Sequence, residues 1–328
     1  MKIKSFFIFL GKRLRALMIS LCLVFATTIG WHPSMKIVSQ ESPNQRMIFQ
    51  NLERIVRVLS ENIGIRDYEH YANLNRAADF IEEQFIDLGY EIEVMTYEID
   101  GKVFKNIIAE QSSRGEQTPI IIGAHYDSCS NPGADDNASG VAGMLELARL
   151  LKDQKTKIPI RFIAFTNEEP PFFKTDLMGS HVYVQQLEEE TIHVAIILEM
   201  IGYYSDKPFS QRYPPLLGFF YPHHANYIAV VSNLHSGKFA KALIKYFKHA
   251  TRFPIRSLIF PNIIPAMDFS DQWSFWQENY PAIMVTDTSF LRNKNYHKST
   301  DLSATLDYKR MVLVVEGLYQ GILGLANK

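Results

Sequence analysis

Residues 119–128 read PIIIGAHYDS, an apolar run that stops abruptly on His125, Tyr126, Asp127 and Ser128. An uncharged segment of this length, led by a proline and ended by a polar cluster, reads as a strand buried on both faces of a sheet. Two later runs repeat the pattern: 160–166 leads into Asn167, Glu168 and Glu169, and 194–198 leads into Glu199. Between the first two lie the turn PGADDNASG (132–140) and a helical stripe of Val141, Met144, Leu145, Ala148 and Leu151. Strand and helix in alternation call for parallel strands joined by crossover helices.

Outward from this centre the pattern continues. Upstream, 45–89 has helical period, with Ile48, Leu52, Ile55, Val56 and Leu59 on one face, and a second run, Ala78, Ile81, Phe85 and Leu88, stopping at Gly89. Strands are expected at 91–97 and 103–110. Downstream come a strand at 227–231, a helix at 238–249, a strand at 282–286 and a final helix over 308–326. Glu316 and Gln320 interrupt that last helix, so it reads as a core element and not a membrane span. With no internal repeat and no low-complexity linker, the sequence predicts an α/β fold: a single domain over 35–328, with a mostly parallel mixed central sheet and helices on both faces.

In open α/β sheets, ligands bind beyond the carboxyl ends of the strands, and the polar residues of this chain collect there. His125 and Asp127 end one strand, Glu168 and Glu169 another, Glu199 a third; Asp135 and Asp136 sit in the intervening turn. Tyr296, His297, Lys298, Ser299, Thr300 and Asp301 follow the strand at 282–286. Imidazole nitrogen and carboxylate oxygen are the donors Zn²⁺ accepts when no thiolate is offered. Two histidines and three carboxylates, one of them shared, suffice for a hydrolytic metal pair. Of the adjacent Glu168 and Glu169, one can ligate while its neighbour turns to a water as general base. Asp127, two residues beyond His125, is placed to orient that imidazole.

The runs GAHYDS, PGADDNASGVAGMLELARLL, FTNEEPPFF, LEMIGYY, SDQWSFW and TDTSFLRNKNYHKSTD resemble the M28 family of zinc peptidases over about 45–328. That family includes bacterial leucyl aminopeptidases and, more remotely, glutaminyl cyclases. The resemblance implies two Zn²⁺ per chain: one held by His125 and Glu199, the other by Glu169 and His297, with Asp136 bridging. It implies Glu168 as general base, Asp127 as the partner of His125, and peptides with a free N-terminus as substrates. Asp136 is assigned over Asp135 because the second aspartate of the motif matches. Glu199 stands where many relatives have Asp, and Gln272 where the SDH-type motif has His. The functions implied are an aminopeptidase, a glutaminyl-cyclase-like transferase with one zinc, or a non-catalytic membrane-tethered domain.

The chain has 328 residues, 47% hydrophobic and 21% charged, with 34 basic against 35 acidic residues. This near balance argues against a nucleic-acid partner. All five charges in 1–34 are basic (Lys2, Lys4, Lys12, Arg13, Arg15), followed by the uncharged stretch 16–31. A basic start and a short apolar segment read as a secretory signal peptide or an N-terminal membrane anchor, either of which exports the body to a periplasmic or extracellular site. Cys22 and Cys129 form no disulfide framework. Ser139-Gly140 lacks the leading glycine of a nucleophile elbow, and Asn137-Ala138-Ser139 matches a glycosylation acceptor by coincidence. The long aromatic loop 203–225 is either a binding loop or a surface excursion. Its His223 and His224 read as solvated; His181, His193, His235 and His249 carry no ligand spacing.

Overall fold

The structure, a computed structural model, describes residues 42–110, 118–187, 191–214, 217–261 and 267–328. The basic leader lies outside them. Among the described residues no helix is long and apolar enough to cross a membrane.

Helix α1 (Pro43–Arg57) starts on a capping box: Ser42 Oγ accepts from Gln45 N while the Gln45 side chain accepts from Ser42 N, with Pro43 at the first position. A π-helical turn, Val58–Ile63, ends at Gly64 with φ 82°, and α2 (Tyr71–Asp87) begins only after His70. The expected helical segment is therefore two helices and a connecting loop. Gly89, at φ 78°, closes α2.

Strands β1 (Glu91–Ile99) and β2 (Lys102–Glu110) form a hairpin, and β3 (Ile120–His125), α3 (Gly140–Leu151), β4 (Ile160–Phe165), α4 (Gly179–Gln185) and β5 (Val194–Glu199) follow. Then come β6 (Ile228–Ser232), α5 (Gly237–Ala250), β7 (Ile255–Ile259), α6 (Gln272–Gln277), β8 (Ala282–Thr286) and α7 (Tyr308–Ala326). They make one eight-stranded sheet in the order β1-β2-β4-β3-β5-β8-β6-β7. The central β4, β3, β5 and β8 run parallel, β2 and β6 pair antiparallel to this block, and β7 runs parallel to β6. The sheet is thus mixed around a parallel centre, with helices on both faces.

Alternation along the central strands explains the two layers. Ile120, Ile122, Phe162, Val194, Ile196 and Leu198 face a large core under α1, α2, α3, α5 and α7. Ile121, Ile163, Phe165, Ala195 and Ile197 face a smaller one with Tyr183 of α4 and Phe275 and Trp276 of α6. Three elements were not expected from sequence: α4, α6 and β7. The helices are too short to show a period, and Arg256 and Ser257 break the apolar run of β7.

Candidate metal centre

Because β3, β4, β5 and β8 are parallel, their carboxyl ends open on one edge, and the chain places polar side chains there. His125 Nε2 lies 3.3 Å from Asp136 Oδ1 and 3.3 Å from Glu199 Oε2. On the other side of Asp136, its Oδ2 lies 3.0 Å from His297 Nε2, which is 3.2 Å from Glu169 Oε1. The two oxygens of one carboxylate thus face two separate imidazoles, each joined by a second carboxylate. Glu168 stands further back, its Oε2 3.9 Å from His125 Nε2.

These contacts are not ordinary hydrogen bonds. Both nitrogens of His125, Glu169 Oε1 and His297 Nε2 are buried with no hydrogen-bond partner, and buried polar atoms are rarely left so. A tetrahedral cation with bonds of about 2.0–2.1 Å has its ligand atoms about 3.3 Å apart, close to the 3.0–3.3 Å between each imidazole nitrogen and its two carboxylates. His125, Asp136 and Glu199 offer one set of converging donor atoms; Glu169, His297 and Cys129 offer the other. The donor set fits divalent metal. Electrostatics agree: burial works against a charged His297, but Asp136 and Cys129 raise its pKa to about 10. Burial likewise opposes a charged His125, and Glu168 and Glu199 override it to lift the pKa well above normal. The carboxylates demand positive charge between themselves and the imidazoles, whether protons or a cation. Burial, with Glu169 and Glu199 nearby, also raises the Glu168 carboxyl well above its usual range against the pull of His125.

Asp127 lies beside His125 and also holds the end of β4. Its Oδ1 lies 3.4 Å from His125 Nδ1, while its two oxygens accept from the backbone N–H of Glu168 (3.1 Å) and Glu169 (3.0 Å). It clamps the end of β4 more closely than it holds the imidazole. Asp135 turns away from the centre, accepting from Gly202 N and the Asn293 side chain. Glu199 accepts from Ser270 Oγ at 2.6 Å, and Gln272 donates to the Met267 carbonyl. Asn167, Met200 and His297, each in or beside the ligand set, all adopt positive φ (55°, 51° and 54°), as residues held by functional geometry commonly do.

The sequence pattern assigned no supporting role to several residues that hold the centre in place. Asp301 accepts from the backbone N–H of Asp135 and Asp136, which points the turn at the centre. The Asn137 side chain donates to Leu198 O and accepts from Met200 N and Gly140 N, tying α3 to β5; it is buried and occupied, so the glycosylation match is a coincidence. Arg66, from the loop before α2, is completely buried and donates to the carbonyls of Tyr126, Pro132 and Gly133 at 2.6, 2.6 and 2.7 Å. Gly133 sits at φ 59° in this crowd; a Cβ there would meet Asp136 O at 2.4 Å.

A cavity of about 280 Å³ opens from the centre, touching Asp136, Glu168, Glu169, Glu199 and His297. Tyr213, Pro214 and Tyr221 wall it, so part of the loop 203–225 lines the site, whereas Phe219, His223 and His224 are exposed. Tyr203 and Tyr204 are not among its walls, and Tyr204 packs on Phe253. Among the described residues, His181 packs against Trp273 and His193 against Phe239.

Comparison with known proteins gives a consistent picture. The model of peptidase family M28 matches residues 106–320. The uncharacterised protein YfbL of Escherichia coli K12 is 42% identical over 279 residues, 82% of this chain and 86% of its own. The aminopeptidase LapA of Legionella pneumophila superposes with a TM-score of 0.69 at 20% identity, covering 90% of this chain and 78% of its own. BSAP, a zinc aminopeptidase from Bacillus subtilis, does so with 0.68 at 16% identity, covering 85% and 95%. At those identities the two structures establish a shared fold.

Proposed function

Since this chain belongs to peptidase family M28, we propose that it is a zinc aminopeptidase that removes N-terminal residues from peptides. The observation that carries the reading is Asp136 set between two histidine–carboxylate pairs. His125, Asp136 and Glu199 would hold one Zn²⁺, and Asp136, Glu169 and His297 the second. The zinc aminopeptidase among the structural neighbours supports the choice of metal.

When bound, such a pair supplies Lewis acidity that makes water a better nucleophile and polarises a carbonyl. The chain's own residues do the rest. Glu168, set back from both triplets and facing the cavity, takes the proton of the attacking water and returns it to the leaving amine. Asp127 keeps Glu168 and Glu169 aimed in different directions by fixing their backbone amides. The buried carboxylates beside the metals receive the substrate's free amino terminus, which favours exopeptidase action. Residues 35–328 form the catalytic domain, and 1–34 act as an export signal or tether that places it outside the cytoplasm.

Replacing Glu168 with Gln tests the assignment. Turnover of aminoacyl chromogenic substrates should fall by about 10³-fold, with two zinc ions per chain still measured by atomic absorption, and chelation should abolish wild-type activity. Retained turnover in the variant refutes Glu168 as the base. One tight zinc per chain with cyclisation of N-terminal glutamine would replace hydrolysis by cyclase chemistry.

A further inference from the structure

Arg256 lies on an apolar sheet face and has no part in the chemistry above. The register places it in line with the metal centre: Glu199 pairs with Thr286, Thr286 with Ala229, and Ala229 with Arg256 across β5, β8, β6 and β7. Three strand spacings separate the Arg256 backbone from that of Glu199 by about 14 Å. All four residues line the same cavity. Between the two ends the walls are apolar, from Met284, Val231, Leu258 and Phe290.

Arg256 is only 8% exposed. Nη1 reaches no further than the carbonyl of the preceding Ile255, at 3.1 Å, and the buried Nε has no partner. Among the described residues no carboxylate pairs with it; the groups that act on its charge are Tyr227, Tyr213 and Tyr221. Their hydroxyls are engaged elsewhere, Tyr213 with Pro222 O and Tyr227, and Tyr221 with Ser257 O. The neighbouring buried Arg292 is held by more bonds, donating to Gln211 and to the Tyr227 carbonyl, although its Nη2 is likewise unpartnered. An arginine buried without a counter-charge costs several kcal/mol, and its planar fork is suited to a carboxylate.

We propose that Arg256 is a specificity residue that receives a substrate carboxylate at the far end of the cavity, most directly the side chain of an N-terminal glutamate or aspartate. The apolar walls then take the methylene stem. This rests on the aminopeptidase reading for the position of the reacting bond, but the carboxylate contact is measurable without turnover.

The test uses the zinc-loaded full chain, Arg256→Gln and Arg256→Lys. By calorimetry, L-glutamate should bind wild type about tenfold or more tighter than L-glutamine, a gap that closes in R256Q and partly survives in R256K. The kcat/KM ratio of glutamyl to glutaminyl anilide should follow the same order. A dipeptide compared with its C-terminal amide identifies the other source. If the acid outruns the amide only when Arg256 is present, the carboxylate is the peptide's C-terminus and the contact stands. Binding of glutamate that depends on Arg256, without turnover of any anilide, would sink the peptidase reading and keep the contact. Equal handling of both acid–amide pairs by wild type overturns the proposal, and R256K keeps the comparison available should R256Q not fold.

Discussion

Replacing Arg66 with methionine is expected to destabilise the fold by about 4 kcal/mol. The guanidinium is fully buried and makes three bonds of 2.7 Å or less to the carbonyls of Tyr126, Pro132 and Gly133, with longer ones to Leu59 and Gly64. A hydrogen bond from a charged donor contributes about 1.5–3 kcal/mol, so the three short ones amount to roughly 5–9 kcal/mol. Methionine also relieves the cost of burying a cation, several kcal/mol. About 4 kcal/mol remains, a large part of a typical 5–15 kcal/mol total. The loop that loses its anchor runs from His125 to Asp136, so zinc affinity should fall with stability. Equilibrium urea unfolding of the metal-free protein, with and without the substitution, measures the first; competitive chelator titration measures the second. Arg66→Lys should recover only part, because an ammonium offers three donors without the planar fork. A loss below about 1 kcal/mol in R66M, with zinc affinity unchanged, would refute the view that this cation organises the loop.

Two other outcomes are expected. Asp127→Asn leaves one of the Glu168 and Glu169 amides facing an NH₂ group, removing a charged hydrogen bond of about 1.5–3 kcal/mol; kcat should drop by about 10–10² while zinc content stays at the wild-type value. Loss of zinc without a kcat effect in the reloaded enzyme would instead make it a support for His125. Gly317→Ala places a Cβ 2.3 Å from the Phe247 ring where α7 crosses α5, so overpacking of about 1–3 kcal/mol should outweigh the roughly 1 kcal/mol of helix propensity gained. A lower urea midpoint supports this, and a higher one means the helices separate without strain.

The central strands were legible because each is a nearly continuous apolar run bounded by polar residues, with Arg161 near the start of β4 the one charge inside them, a pattern that survives without knowledge of neighbours. The edge was not: β7 carries Arg256 and Ser257 and becomes a strand through its pairing with β6. Likewise α1 could be read from its stripe and its Ser42–Gln45 cap, while α6, six residues long, forms where β8 and β5 offer it a surface.

For the site, the residue types at the strand ends could be read from sequence, since His125 and Glu199 follow apolar runs directly and Glu168 and Glu169 come just after Thr166 and Asn167 at the end of another. Which of them meet depends on how distant segments pack. Asp136 faces inward and Asp135 outward because Asp301, 165 residues away along the chain, takes both their amides. Arg66 and Arg256 each follow an isoleucine in segments of mixed composition, and nothing local marks one from the other as buried. One is buried among carbonyls and the other lines the cavity, and that difference arises from contacts between segments distant in the chain, which local pattern does not encode.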